Sequence, residues 1–293
     1  MPGTTSKDNA TVYELRTPEE PLQRFIEHYW FVTHPEQAPV DLRVDVFVDA
    51  RADLIFNFGV PYRREVLGGG AAEHRRSNLD AQRLVPIRIR QRGLVRISGV
   101  RFRLGGLGAF VRRPLRPCTG LTLEPHELLG SAASALESEL ATTLDLDAQA
   151  RLLDAFFLAR LALAASYETF QRILTELVRN EGSASIRALA SDTRVPGRQV
   201  DRLFAKHLGV APKTMARVLR FQGALAALMH DPTCSLVDLA ARAGYFDHAH
   251  FIKDFKRMSG GVPRGYRGYF PPSGPTDFAP NVVVFLQDSP ASP

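Results

Sequence analysis

The sequence is poor in cysteine and contains no long apolar run. Its 293 residues include only Cys118 and Cys234, which fall in different predicted domains. Two such distant thiols indicate neither a disulfide framework nor a zinc site. No apolar stretch reaches the roughly eighteen residues that a membrane-spanning helix needs, and the first residues lack the layout of a signal peptide. We therefore expect a cytoplasmic protein with no membrane association.

Groups that could form a catalytic or metal site are also scarce. The histidines of the first 130 residues lack the close paired spacing of a cupin-type metal centre; they are His28, His34, His74 and His126. Two later histidines, His248 and His250, are two residues apart and would point to different faces of a helix. No Ser–His–Asp or Cys–His grouping stands out. We therefore predict no metal ion, no cofactor and no enzymatic activity.

What the sequence does contain is a tandem repeat. Residues 185–212 and 235–263 share one skeleton, with an offset that changes from 50 to 51 along its length. Each copy has an apolar triplet at i, i+3, i+4, then a break, then a second apolar helical face. A repeat in which apolar, cationic and turn positions stay in phase predicts two copies of one helical unit.

Each copy reads as helix, sharp turn, helix. This is the helix-turn-helix plan, in which the second helix enters the DNA major groove, although a plain αα-hairpin has the same apolar pattern. Residues 212–230 predict one linker helix between the copies. At 1.5 Å per residue it spans roughly 27 Å, which suits two recognition helices about one DNA turn, roughly 34 Å, apart.

Charge favours DNA over a purely structural role. Residues 182–270 hold fourteen Lys and Arg against six Asp and Glu, whereas residues 1–181 hold twenty-three of each. The excess positive charge of the chain therefore lies on the repeat, as binding to phosphates requires.

Residues 182–270 resemble the DNA-binding domain of the AraC/XylS transcription regulators. The resemblance rests on RQVDRLFAKHLGVAPK, RFQGALAAL and GYFDHAHFIKDFKRMSGGVPRGYR, the last of which is close to the family signature. It implies an all-α domain of two helix-turn-helix motifs joined by a linker helix. Three departures lie at or beside the expected DNA contacts: Arg194 replaces a turn Gly, His248-Ala249 replaces Gln-Ser, and Lys253 replaces Arg. We expect Arg194 to change the type of the first turn.

The candidate DNA contacts lie on the second helix of each copy. Those of the first copy are Arg198, Gln199, Arg202 and Lys206, and those of the second are His248, His250, Lys253, Lys256 and Arg257. Arg198 and Arg202 lie at i, i+4, and Arg–guanine pairing is the commonest specific contact. The lysines and Arg257 suit phosphates. His250 could read a base or only support its helix.

The first 130 residues predict a β-rich domain. Apolar residues alternate with polar ones around 42–48, 85–89 and 100–104, and 54–58 reads as a buried strand. Such short strands suggest a small barrel or sandwich and an α+β chain overall. FIEHYWFV, DLIFNFG and GVRFRLGGLGAFV resemble the N-terminal domain of one AraC-type subgroup. This resemblance implies small-molecule sensing, homodimerisation or both.

Arginines on the predicted strands leave two interpretations open. They either line one interior, where an anionic effector would suit them, or form the solvated face of a sheet; they are Arg88, Arg90, Arg92, Arg96, Arg101 and Arg103. Residues 131–181 predict a helical connector with a strong amphipathic stripe. The sequence does not decide whether this stripe packs on the β domain, the DNA-binding domain or a second subunit. Residues 271–293 predict a Pro-rich linker followed by a β-prone strip that docks on an edge of the N-terminal sheet.

Together these features predict a sequence-specific transcription regulator. Its expected partners are double-stranded DNA, a small-molecule effector and, for an activator, RNA polymerase. The alternative is a ligand-binding or enzymatic β domain whose basic tail binds nucleic acid without specificity.

Overall fold

Ten of the eleven described strands precede the helices along the chain, and the last strand follows them. The computed structural model describes residues 12–34, 41–231, 233–267 and 283–287. The strands are β1 (Val12–Arg16), β2 (Ile26–His34), β3 (Asp41–Val46), β4 (Asp53–Asn57), β5 (Tyr62–Val66), β6 (Glu73–Arg75), β7 (Asn78–Asp80), β8 (Ile87–Arg92), β9 (Val95–Phe102), β10 (Thr122–Leu123) and β11 (Val283–Gln287). The helices are α1 (Pro125–Leu129), α2 (Ala132–Thr142), α3 (Leu146–Leu158), α4 (Ala165–Arg179), α5 (Ile186–Thr193), α6 (Gly197–His207), α7 (Pro212–His230), α8 (Leu236–Arg242) and α9 (His248–Ser259).

The strands form two antiparallel sheets, which confirms the α+β prediction. One sheet has the order β1-β2-β9-β4-β7-β10 and the other β11-β3-β8-β5-β6. Alternate residues of β4 face opposite layers, as the period of a strand requires. Ile55 packs with Tyr62 of the other sheet, whereas Leu54 and Phe56 join the core shared with the helices.

The strand that was predicted over 42–48 ends earlier, at Val46. Phe47 and Val48 leave the sheet because they pack against the C-terminal domain. The amide of Val48 donates to the carbonyl of Met258 in α9 at 3.2 Å, and the rings of Phe47 and Tyr266 meet edge to face at 5.3 Å. Both residues are buried.

The helical connector packs on the β domain and on the DNA-binding domain. On α3, Phe157 lies edge to face against Phe102 of β9, with ring centroids 5.5 Å apart. On α4, the hydroxyl of Tyr167 donates to the carbonyl of Gly105 at 3.2 Å. Phe170 of the same helix contacts Phe204 of α6 at 5.2 Å. The amphipathic stripe of α4 is therefore covered by both domains.

The predicted β-prone strip of the tail docks on a sheet edge, as expected. Strand β11 pairs antiparallel with β3, in a register that sets Val283 opposite Val46 and Gln287 opposite Leu42. The Pro-rich stretch predicted before it lies outside the described residues.

The arginines of the strands do not line one interior. Arg101 alone among the six is buried, and its charge is matched by Asp49 and by Asp53, whose carboxylate is 2.6 Å away. Arg88 pairs with Asp45 at 2.6 Å, and Arg103 is exposed. The side chain of Arg96 points to helix α2, where it donates to the carbonyl of Leu140 at 3.1 Å. The structure thus does not favour the interpretation in which these arginines line one interior, and the anionic effector stays a prediction.

Candidate nucleic-acid interface

The two copies of the repeat fold into matching units, α5–α6 and α8–α9. Both begin with a serine N-cap. The hydroxyl of Ser185 accepts from the amide of Ala188 at 3.1 Å, and that of Ser235 accepts from the amide of Asp238 at 3.3 Å. An N-cap of this kind satisfies an amide that the first turn of a helix leaves unpaired.

The turns of the two units are of the same type, so the expectation that Arg194 changes the first turn is wrong. Arg194 adopts the left-handed conformation, with φ at 56°, that Gly244 adopts at 69° in the second unit. The next residue closes each turn in the same way: Val195 donates to Ala190, and Tyr245 donates to Ala240, both at 3.0 Å. Arg194 therefore adopts a backbone conformation in which glycine is the usual residue.

The linker helix α7 extends over residues 212–230, as predicted. Its apolar side is buried, including Met215, Val218, Leu225 and Leu228. Phe221 lies against Phe255 of α9, with ring centroids 5.2 Å apart, and α7 also contacts α6 and α8. One core therefore holds both helix-turn-helix units.

Two predicted DNA contacts of the first recognition helix, α6, are free to meet a ligand. Arg198 and Arg202 are exposed, and neither guanidinium has an ion-pair partner within the described part of the chain. Gln199 beside them is half-buried. Buried Val200 and Phe204 hold the opposite face of the helix against the core. The helix therefore presents a cationic face one turn long.

Lys206 differs from the other predicted contacts of α6. Its ammonium donates to the hydroxyl of Ser166 on α4 at 3.2 Å, and its backbone carbonyl accepts from the amide of Leu115 at 2.9 Å. Lys206 follows Arg202 by four residues, about one turn of α6, and lies at the boundary with the N-terminal domain. Its role as a DNA contact stays a prediction.

On the second recognition helix, α9, most predicted contacts are exposed: His248, Lys253, Lys256 and Arg257. Asp247 is the N-cap, because its carboxylate accepts from the amide of His250 at 2.7 Å. Phe251 and Phe255 fix the helix to the core. The second unit thus presents its own cationic face.

His250 contacts two residues of its own unit, and both roles predicted for it, base reading and helix support, stay predictions. Its ring meets that of Tyr245 edge to face at 5.3 Å, and its Nε2 lies 3.6 Å from the carboxylate of Asp254. The side chain is nevertheless 52% exposed. His250 is therefore oriented by its neighbours and still open to solvent.

Sequence reasoning missed the ion pair between Arg217 and Asp254. The guanidinium of Arg217 on α7 donates two hydrogen bonds to the carboxylate of Asp254 on α9, at 3.0 and 2.5 Å. Asp254 is only 3% exposed. An aspartate between buried Phe251 and Phe255 on the apolar face of a helix signals such a partner, because a buried carboxylate is rarely left unpaired. The pair fixes α9 on the linker helix.

His207 is a second group that sequence reasoning missed. It is buried at the end of α6, where Tyr167 and Phe170 surround its ring and its Nε2 lies 3.0 Å from the hydroxyl of Ser166. Burial, and secondly the charge of Lys206, lowers the pKa of His207 to about 4. His207 is therefore neutral at physiological pH.

Because of the low pKa of His207, we expect the folded protein to lose stability at acidic pH, at the junction of α4 and α6. A folded-state pKa of about 4, below the ordinary 6.5, means that stability is complete above pH 6.5 and is lost as pH falls towards 4. We expect up to about 1.4 kcal/mol of lost stability per pH unit in this window. Thermal unfolding of the wild type and of His207→Gln between pH 7.5 and 4.5 measures it. A His207→Gln variant with an unchanged pH slope would contradict the prediction.

Two further findings bear on other functions. Among the residues that the structure describes, no three His, Cys, Asp or Glu side chains converge as a metal site would need. In the same part of the chain, every helix is too short or too polar to cross a bilayer.

Two helix-turn-helix units on one core, each with an exposed cationic recognition helix, define a DNA-binding domain of the tandem type. In keeping with this, residues 189–269 match a family model described as a helix-turn-helix domain. Residues 189–269 therefore form a helix-turn-helix domain, a kind of domain that places its second helix in the DNA major groove.

The other comparisons are more distant. Residues 14–124 match a domain of unknown function, DUF6597. ToxT from Vibrio cholerae is 10% identical over 78% of this chain and 97% of its own, with a TM-score of 0.44. The AraC-like transcriptional activator CuxR is 12% identical over 73% of this chain and 87% of its own, with a TM-score of 0.23. A comparison with curated proteins found no match.

Proposed function

We propose that this protein binds a specific DNA sequence by placing α6 and α9 in successive major grooves, under the control of its N-terminal domain. The observation that carries the proposal is the pair Arg198 and Arg202, one turn apart on the exposed face of α6 and without a protein partner among the described residues. Guanidinium groups in this arrangement suit guanine edges. Gln199 and His248 extend the base-reading set, while Lys253, Lys256 and Arg257 supply phosphate contacts.

Control by the N-terminal domain is supported by its contacts with the first helix-turn-helix unit. The hydroxyl of Thr119 donates to the carbonyl of Gly209, just after α6, at 2.8 Å. Gly108 lies so close to α6 that an added Cβ would stand 2.4 Å from the carbonyl oxygen of His207. Close backbone packing of this kind leaves little room for independent movement.

The second unit contacts a different part of the N-terminal domain, residues 47–50, which we term the coupling loop. The amide of Val48 donates to the carbonyl of Met258, and the carbonyl of Val48 accepts from the side chain of Gln222. The other end of the loop faces the β domain, where the carboxylate of Asp49 pairs with Arg101. Ala50, which follows Asp49 and ends the coupling loop, has φ at 54°, in the left-handed region.

The coupling loop therefore joins the interior of the β domain directly to α9. In our proposal, an effector or a dimer contact changes the population of arrangements in which α6 and α9 are spaced for DNA. A homodimer and a contact with RNA polymerase are the partners expected for a regulator of this type.

The test compares one proposed base contact with one proposed phosphate contact. A specific duplex, selected from a random library with the full chain, and a random duplex are titrated with the wild type, Arg202→Ala and Lys256→Ala across a salt series. We expect Arg202→Ala to weaken binding to the specific duplex by about 1–3 kcal/mol and to leave random binding almost unchanged. Lys256→Ala should weaken both duplexes and reduce the salt slope by about one.

The same titration examines the alternative of a non-specific basic tail. In that case Arg202→Ala weakens both duplexes equally, and no sequence is enriched from the library. Both variants change exposed side chains, so their thermal unfolding should match that of the wild type.

A further inference from the structure

Phe246 is the most exposed large apolar side chain among the described residues. It is 99% exposed and immediately precedes Asp247, the N-cap of α9. A phenylalanine so placed gains nothing from burial in the chain itself, although a ring of this size stabilises a fold or an interface when it is buried. Its exposure therefore needs a reason from outside the core.

The ring of Phe246 does not make the packing contact that its position next to the N-cap commonly provides. A residue just before an N-cap commonly packs on the fourth helical residue, which here is Phe251. Phe251 is instead covered by Tyr245, with ring centroids 5.4 Å apart. The first unit has Pro196 at the position of Phe246, and its turn closes with the same hydrogen bond. The aromatic ring is thus a property of the second unit alone and is not required by the turn.

The location of Phe246, at the start of the second recognition helix, favours nucleic acid as its partner. The N-terminal residues of a recognition helix are those that contact base edges. The charges that follow on α9, Lys253 and Lys256, are exposed and suit the flanking phosphates. An apolar ring at a major-groove edge finds one apolar partner there, the C5-methyl group of thymine.

We propose that Phe246 reads a thymine methyl group in the half of the DNA site that α9 occupies. This proposal rests on the proposed function and adds a specificity-determining residue to it. The first unit lacks the ring, so the two halves of the site should differ in their requirement for thymine.

The experiment removes the methyl group and the ring separately. Each thymine of a duplex selected with the full chain is replaced in turn by deoxyuridine, and binding is measured for the wild type, Phe246→Leu and Phe246→Ala. One replacement, in the α9 half, should weaken wild-type binding about fourfold, as expected for one buried methyl group. Phe246→Ala should bind the thymine duplex more weakly and lose its sensitivity to that replacement, while Phe246→Leu should keep part of it.

A matched control separates base reading from general effects. Leu144→Ala removes another apolar side chain, 77% exposed, from the connector, and it should leave both affinities unchanged. The proposal is overturned if Phe246→Ala responds to deoxyuridine as the wild type does, or if it weakens specific and random duplexes equally. If the wild type selects no duplex at all, the proposed function itself has failed.

Discussion

An Arg217→Met variant is expected to lose about 3–5 kcal/mol of stability and, with it, specific DNA binding. The substitution leaves the carboxylate of Asp254, which is 3% exposed, without the guanidinium that donates to it at 3.0 and 2.5 Å. An uncompensated buried charge costs this much, and Nε2 of His250, 3.6 Å from the carboxylate, does not replace the two lost hydrogen bonds. Since the pair joins α7 to α9, the second recognition helix should be the part that loses order. Chemical unfolding and DNA titration measure the two effects.

The double variant Arg217→Met/Asp254→Asn is the control. It removes the stranded charge but keeps an amide beside Tyr245, so most of the lost stability should return. Equal stability of the single and double variants would show that Asp254 is not the origin of the loss. A surface role for Arg217 in DNA binding would leave stability unchanged and lower affinity alone.

Replacing Arg101 by Met should have a similar effect in the β domain, about 3–5 kcal/mol of lost stability. Arg101 is 6% exposed and faces two buried carboxylates, Asp49 and Asp53. Burial by itself raises the pKa of Asp53, but Arg101 and Arg83 outweigh it, so this pKa lies below its ordinary value of 3.8. In the wild type this contribution to stability is present above pH 3.8 and is lost as pH falls further.

The variant changes this dependence on pH. Without Arg101, only Arg83, 3.4 Å from Asp53, opposes the effect of burial, so the pKa of Asp53 should rise above its wild-type value and protonation should relieve part of the lost pairing. The stability difference between Arg101→Met and the wild type should therefore shrink as the pH is lowered from 7 towards 4. Arg103→Met, which changes an exposed arginine two residues along the chain, should show neither the loss nor its pH dependence. A constant difference at all pH values would contradict the assignment.

The Arg101 variant also tests the coupling loop. Asp49 is the contact of this loop with the β domain, while Val48 is its contact with α9. A loosened loop should therefore change DNA binding, although Arg101 itself lies far from the proposed DNA surface in sequence and is buried. DNA titration of the folded fraction near pH 5, where the stability deficit of the variant relative to the wild type is smaller than at pH 7, measures this effect.

The sequence predicted the local elements of the C-terminal domain well, because each is encoded by its own residues. Residues 212–230 predicted the linker helix, and the apolar triplet of each copy predicted the first helix of each unit. The β-rich character of the first part followed from alternation. The edge pairing of the last strand was also predicted, since a short β-prone strip after a Pro-rich stretch needs a partner.

Features that depend on contacts between distant residues were not predictable in the same way. Val48 leaves its sheet for Met258, more than 200 residues later, and no local pattern marks that bond. The contact of Lys206 with Ser166 on another helix could not be read from the spacing of Lys206 on α6. Arg194 was expected to alter a turn, yet the surrounding hydrogen bonds impose the same backbone at about 1 kcal/mol, a typical cost of the left-handed conformation for such a residue. In each case tertiary contacts overrode a local preference.

The pairing of β11 with β3 makes the DNA-binding domain an insertion in the N-terminal domain. The chain leaves the β domain after the connector and returns to its smaller sheet at residue 283. Fifteen residues, 268–282, separate the last described residue of the DNA-binding domain from this strand, a span of at most about 50 Å when fully extended. The domain is thus tethered at both ends. An isolated fragment 1–181 would lack an edge strand and expose β3, which invites association between copies.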